Sequence, residues 1–485
     1  RISEGVDPQL LERERTLELQ LESLATRQVK SSSSGVSQKE LLELDNELER
    51  ATTEYHDVQG QIRALSPHYA ALVQPVTLKV DQIQQMLEPE TLLLETSLGE
   101  KRSFLWAITR DSVKSYELPS QAEIEKLVRR LYSEITALSD VTQRTRKENS
   151  DSDARQISSM LFGKLDNRSE IRRLVIVADG VLQYLPFASL PSPFSEKDNL
   201  VSHYEIVRLP SASVLAIQRE QFAGRAPASK SVAVLADPVF DKMDPRVIAL
   251  TSARNGRMRN WRASPAAANE RLLAKSFSGS RALRDSGLVV NGRIPRLLFS
   301  AAEADAVYAA SSGTDSLKAI GFKANRSILT GPELSHYKVI HIASHGVLNS
   351  KHPELSGILL SMVDENGKPI DGFLQLHEIY NLRLPAELVV LSACETAIGK
   401  EIRGEGLIAL TRGFMYAGAA RVVATLWKVD DAATATLMAQ FYKEMFTNGK
   451  SPAAALQAAQ IYVSQKKRWQ EPYYWAGFML QGEWR

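Results

Sequence analysis

The chain has 485 residues, 44% apolar and 24% charged, an ordinary globular composition with room for two or three domains. Its 59 basic and 57 acidic residues nearly cancel, so net charge points to neither a nucleic acid nor a membrane surface as partner. The single cysteine excludes an internal disulfide and any zinc site built from several thiolates, and it fits a reducing, cytoplasmic compartment.

No apolar run reaches the roughly 18 residues that a membrane-spanning helix needs. The first residue is Arg1 and no signal-peptide core follows, so the sequence reads as a fragment of something longer. Residues 9–65 predict helices. Leu41, Leu44, Leu48, Ala51, Tyr55, Val58, Ile62 and Leu65 recur at alternating spacings of three and four over about four heptads. Leu10, Leu17, Leu21 and Leu24 form a shorter stripe before them, and Ser31-Ser32-Ser33-Ser34-Gly35 breaks the pattern between. An antiparallel helical hairpin over residues 1–75 is the expectation.

From about residue 76 the pattern changes. Thr91–Thr96 and Ser103–Ile108 read as strands, joined by a polar turn that carries Gly99. Residues 120–138 predict an amphipathic helix with Ile124, Leu127, Leu131 and Ile135 on one face, and the charged stretch 141–157 predicts a mobile loop. Beyond 171, β-branched runs at 173–178, 231–236, 337–342, 388–392 and 421–427 alternate with helical stretches at 301–310, 406–417 and 431–447. That alternation predicts a parallel sheet buried on both faces. Residues 76–170 and 171–485 are expected as two parts of an α/β region, with a long insertion near 252–300 rich in Arg, Ser, Ala and Gly.

Sites in open parallel sheets form outside the carboxyl ends of the strands. His345-Gly346 and Cys394 both stand just past apolar runs, 49 residues apart, enough for a loop, one helix and a return strand. If the two runs are neighbours, a thiol and an imidazole meet in one crevice. His345 would then take the thiol proton, and the Gly346 and Cys394 amides would form a two-donor oxyanion hole. A lone cysteine at a strand end is also commonly core filler, and a histidine in a Ser-His-Gly turn can simply hold that turn. His341 lies inside its strand and reads as a core histidine, and His336 lies in a polar turn without a visible partner. Gly404-Glu405-Gly406-Leu407 lacks the lysine and hydroxyl of a phosphate loop, so a nucleotide reading is set aside. No metal or cofactor is expected.

These segments, in this order, resemble the CHAT domain, a caspase-like peptidase domain attached to tetratricopeptide repeats and related to caspases and separases. The matching pieces are Asp179–Phe187, Ala302–Ala306, His341–Gly346, Leu391–Ala397, Gly404–Gly406 and Ala424–Trp427. The resemblance covers roughly residues 76–485. It implies a caspase-like, mostly parallel sheet flanked by helices, with 76–170 as a pseudo-caspase-like part and a His345–Cys394 dyad. The spacing of His345 and Cys394 matches that of caspases, whereas Ser392, Glu395 and Thr396 depart from the caspase signature, so preference for aspartate does not carry over.

The resemblance also implies that peptides bind as an added strand beside Trp427, Lys428, Val429, Asp430 and Asp431. Trp427 would wall the pocket, Ser392 would floor it, and Asp430 or Asp431 would meet a basic side chain before the cut. Asp431 could instead cap the following helix, a reading at least as good. The hairpin would be the end of a repeat region that binds an activating protein and holds the protease in check, in a defence or signalling role. The expected function is a cysteine endopeptidase cleaving a protein partner; the alternative is a non-catalytic caspase-like interaction scaffold.

Overall fold

The computed structural model describes residues 77–137, 143–166, 169–195, 198–254, 293–311, 315–347, 356–392 and 406–485, with selected positions between 7 and 62. Two compact units result. One joins Leu78–Phe240 to Arg296–Arg485; the other joins Arg1–Thr77 to Asp241–Pro295.

In the smaller unit, the described positions between 9 and 24 and between 43 and 62 are helical. Leu17, with Leu10 and Leu21 beside it, packs on Tyr55, Val58 and Ile62, while Leu24 packs on Leu44 and Ala51. Later positions of the first helix meet earlier positions of the second, which is antiparallel pairing, and Arg13 bonds Glu54 at 2.7 Å. The leucine stripes thus meet as their periodicity predicts. The 31–35 break lies outside the described residues.

The larger unit is built on one sheet. Its strands are β1 (Thr91–Ser97), β2 (Ser103–Ile108), β3 (Val113–Leu118), β4 (Arg173–Val177), β5 (Glu205–Arg208), β6 (Lys230–Ala236), β7 (Leu317–Ile320), β8 (Tyr337–Ala343), β12 (Leu388–Leu391), β13 (Arg421–Thr425) and β14 (Phe478–Gly482). A small separate sheet holds β9 (Gly346–Val347), β10 (Gly357–Leu359) and β11 (Phe373–Gln375). The main order is β3-β2-β1-β4-β5-β14-β13-β12-β8-β6-β7. Pairing is parallel throughout except at β3–β2, β2–β1 and β14–β13. The β14–β13 reversal divides the sheet into two half-sheets whose parallel strands run in opposite directions. The 170/171 division therefore falls inside one continuous sheet.

The sequence explains the layering. Leu388–Leu391 and Arg421–Thr425 are buried at every position, as strands covered on both faces must be. Within this unit the helices are α1 (Val80–Met86), α2 (Gln121–Thr136), α3 (Gln143–Phe162), α4 (Ala212–Phe222), α5 (Ser300–Ala310), α6 (Arg326–Thr330), α7 (Leu376–Tyr380), α8 (Gly406–Tyr416), α9 (Asp431–Phe446) and α10 (Pro452–Ser464). Their starts carry local signals: the Asp430 carboxylate accepts from the Ala433 amide at 2.9 Å, and Ser451 accepts from Ala454 at 3.2 Å ahead of Pro452.

The expected mobile loop at 141–157 is instead most of α3. Asp153, Ile157 and Leu161 on it are buried, and the run of charged residues in its sequence obscures the helical period. Arg130 on α2 forks onto both oxygens of Asp153, a pairing between helices that no local pattern announces. Strand β3 was also not foreseen. It is an edge strand with four of its six residues exposed, so it lacks an apolar run. Of the expected insertion near 252–300, residues 255–292 lie outside the described residues.

Candidate active site

The runs that carry His345 and Cys394 are adjacent, parallel strands. β8 pairs with β12 in the register Val390↔His341 and Leu391↔Ile342. His345 stands three residues past Ile342, and Cys394 stands three residues past Leu391. Cys394 itself, with Gly404 and Glu405, lies outside the described residues, so its side-chain position forms no part of the geometry below.

His345 is 3% exposed. Its ring sits 5.4 Å from the Phe240 ring, tilted by 40°. Its carbonyl accepts from the Leu359 amide at 2.9 Å, and the preceding Ser344 hydroxyl bonds the Leu359 carbonyl. The turn is therefore fastened to β10 on both sides of the histidine. That pairing makes His345 and Leu359 a hydrogen-bonded pair, so Gly346 opposite Ile358 is a non-hydrogen-bonded one. The Gly346 amide accordingly turns away from β10. Gly357 is required here: a β-carbon on it would come within 2.3 Å of the Leu374 carbonyl oxygen.

On the other side of β8, Ala236 at the end of β6 is level with Ala343. The next residue, Asp237, has φ 51°, a conformation that non-glycine residues seldom adopt. Arg296 grips its two carboxylate oxygens at 2.7 and 2.6 Å. This strained, buried acid holds the β6 end beside the histidine turn.

His341 is fully buried, as its mid-strand position predicts. Its Nδ1 is 3.0 Å from the Tyr442 hydroxyl on α9. Its Nε2 is 3.0 Å from Glu303 Oε1 on α5, close enough for an ion pair but off the line of a good hydrogen bond. Ser392 Oγ approaches the same nitrogen at 3.4 Å, and the Ser392 amide donates to the Ile342 carbonyl at 3.2 Å. Ser392 is wholly buried in this cluster. Burial, with the Glu303 charge adding to it, raises the Tyr442 phenol well above its ordinary range, so it remains protonated.

The expected peptide-binding segment bends at Leu426–Trp427 and lies outside helix and strand from Lys428 to Asp430. Trp427 is 3% exposed and lies in the core: its Nε1 donates to the Tyr473 carbonyl at 2.9 Å, and Tyr132 meets it edge-on at 5.9 Å. Tyr132 also donates its hydroxyl to the Leu426 carbonyl at 2.9 Å, so α2 clamps this turn. Lys428 is exposed and Val429 is buried. Asp430 caps α9. Asp431 is partly buried, and desolvation, the neighbouring Asp430 and then Glu303 push its carboxyl above the usual range, against the opposing pull of Lys428.

The residues that sequence reading missed are Glu303, Tyr442 and Phe240. Glu303 had one available signal: it is an acid in the alanine-rich helix 300–310, where 304 and 307 face the core. Tyr442 and Phe240 carry no local signal. Among the described residues no three of His, Cys, Asp and Glu converge as metal ligands, and no helix is long and apolar enough to cross a membrane.

Comparison with known proteins follows the same outline. The CHAT domain family model matches residues 151–483. Tetratricopeptide repeat protein 28 of Homo sapiens is 28% identical over 320 residues, and its Mus musculus counterpart 27% over 321. Each alignment takes in 64% of this chain but 12% of the relative, so the chain spans a small part of those proteins' length. Among solved structures, a Saccharomyces cerevisiae separase–securin complex aligns with TM-score 0.46 and 11% identity, over 88% of this chain and 31% of that one. The complex of Porphyromonas gingivalis RgpB pro- and mature domains aligns with TM-score 0.36 and 10% identity, over 75% of this chain and 76% of that one. With its order of strands, its mostly parallel α/β sheet and a family model spanning well over half its length, this chain belongs to the CHAT domain family.

Proposed function

We propose that this chain carries a caspase-like cysteine endopeptidase in which Cys394 is the nucleophile and His345 the general base and acid. The observation that carries this reading is the register: Ile342 and Leu391 are paired on adjacent parallel strands, and His345 and Cys394 each follow three positions later in sequence. A three-residue reach is about 10 Å for each, so neighbouring strands bring the two within range of one another. In the reaction, the Cys394 sulfur bonds to the peptide carbonyl carbon as its proton passes to the His345 imidazole. The carbonyl oxygen becomes an oxyanion facing the amides of Gly346 and Cys394. The C–N bond then breaks, and His345 returns the proton to the leaving amine. Water attacks the resulting thioester, His345 takes its proton, and the thiol is restored.

For selectivity, the packing favours Asp431 as the carboxylate that meets a basic side chain before the cut, because Asp430 is committed to the α9 cap. Trp427, Val429 and Ser392 would support the segment from within, and Lys428 would lie on its outer side. A peptide library tests this: preferred cleavage after Lys or Arg, weakened in Asp431→Asn, supports it, and cleavage only after acidic or aliphatic residues removes it. The N-terminal helical pair fits the end of a repeat array that receives an activating protein, in keeping with the repeat proteins that align here.

Burial of His345 favours a second reading, a non-catalytic scaffold that partners read through its helices. Thiol alkylation separates the two. The chain has one cysteine, so a small neutral alkylating reagent reports on that residue alone. A nucleophile alkylates quickly near neutral pH and loses that speed in His345→Ala; a scaffold thiol reacts at the same slow rate in both. Cleavage of the natural partner by Cys394→Ala would rule out the protease mechanism.

A further inference from the structure

Beneath the proposed dyad lies a polar cluster that the reaction above does not use. His341, Glu303, Tyr442 and Ser392 come from β8, α5, α9 and the residue after β12, and each is at most 2% exposed. A buried carboxylate beside a buried imidazole is costly compared with apolar packing of the same volume. Within the sheet its neighbours are apolar: Val234 and Val390 flank His341 in the register and are fully buried. The cluster is also local to the edge where the site forms, since Ser392 is two residues before Cys394.

The geometry points to His341, held by Glu303 and Tyr442, as a positioning residue that fixes Ser392 and thereby the start of the segment bearing Cys394. This rests on the protease reading and deepens it. Each imidazole nitrogen has a partner. Nδ1 meets the Tyr442 hydroxyl at 3.0 Å and Nε2 meets the Ser392 hydroxyl at 3.4 Å, with Glu303 Oε1 3.0 Å from that second nitrogen but off the line of a hydrogen bond. The ring therefore cannot rotate without abandoning two partners, and burial makes such abandonment expensive. Ser392 is held twice, by its hydroxyl on His341 and by its amide on the Ile342 carbonyl, one strand over at the level of the register pair. The chain thus leaves β12 in a direction set jointly by β8, α5 and α9. Those two helices pack directly against one another, so a shift of either would be transmitted to Ser392 through one hydrogen-bonded ring.

The test is the pH profile of alkylation of the single thiol, read with thermal melting on the same 485-residue chain. The variants Ser392→Ala, Tyr442→Phe and Glu303→Gln each remove one polar contact with little change in volume. First, wild type is compared with His345→Ala. If those two profiles coincide, the thiol has no imidazole partner, and both the protease reading and this inference fall. If His345 lowers the thiol midpoint, the cluster variants then decide the positioning role alone. The expected result is a midpoint raised toward that of His345→Ala by about one pH unit, which is about tenfold slower alkylation well below the midpoint. Profiles that superpose on wild type while the melting temperature falls would make the cluster purely structural and overturn the inference. Should Glu303→Gln fail to give a cooperative melt, Ser392→Ala and Tyr442→Phe, each lacking a single oxygen, still decide it.

Discussion

The two half-sheets use buried polar side chains differently. In the first half, Asp179 follows β4 and spends a carboxylate oxygen on the Leu98 amide at 2.8 Å. Arg208 ends β5 wholly buried, with its guanidinium on the Gln183 and Leu185 carbonyls and over the Phe187 ring. Each of these side chains closes a backbone turn nearby. In the second half, His341, Glu303, Tyr442 and Ser392 gather around one another, and the His345 turn is fastened to β10 through its backbone carbonyl. A polar strand end that satisfies the backbone is architecture. Side chains from four elements that meet one another beside the histidine turn instead tie those elements together.

The comparison breaks most sharply on the strand-end residues themselves. On the proposed mechanism His345→Ala is expected to lower partner cleavage by at least about 1,000-fold, since it removes the proposed general base. Arg208→Met should leave cleavage by the folded protein within about threefold, because an architectural residue enters no chemical step. Equal losses in steady-state cleavage assays would erase the distinction between the halves.

Next in size is the fastening of the histidine turn. Gly357→Ala forces a β-carbon against the Leu374 carbonyl oxygen and the Phe373 ring, so β10 must shift. A destabilisation of about 2–3 kcal/mol in urea unfolding is expected, together with slower alkylation of the thiol as β9 and His345 move with it. Unchanged alkylation would show that β10 does not hold the histidine in its working place.

Arg208→Met should also cost about 2 kcal/mol in the same unfolding experiment, because two buried carbonyls lose their donor. Here alkylation should stay at the wild-type rate, the reverse of the Gly357 result.

The smallest effect is alkaline. Burial first, then the negative field of Asp430, Tyr474 and Asp431, pushes the Tyr473 phenol up to about 12. The unfolded chain releases this proton near its ordinary value of about 10. The contribution is therefore fully present below pH ~10 and is lost as pH rises from there to about 12, with a slope of at most about 1.4 kcal/mol per pH unit. Tyr473→Phe should flatten that decline in urea titrations. Asp431→Asn should lower the Tyr473 midpoint seen by phenolate absorbance; no change would mean that the acidic field beside Trp427 does not reach Tyr473.

Much of the fold was legible because buried parallel strands are apolar at every position. Val232–Ala236 and Leu388–Leu391 read as strands without any tertiary information, and the helices at 300–310 and 431–446 read from their period. β3 and α3 were not legible, since one is an exposed edge and the other begins with a long charged stretch. His341 reads as a core residue from its place inside a strand, and it is one. The residues that partner it were not legible: Glu303 lies 38 residues before it and Tyr442 101 after it.

By itself the sequence determined the strand runs, the helical pair of the N-terminal unit, the single thiol, and the family to which these segments belong. It did so because periodicity and motif are properties of near neighbours in the chain. The tertiary structure alone decided that β8 and β12 are neighbours with Ile342 opposite Leu391, that Trp427 is core, and that His341 sits between Glu303 and Tyr442. Strand order and helix docking are set by how whole faces pack against one another, and no local stretch of residues encodes that.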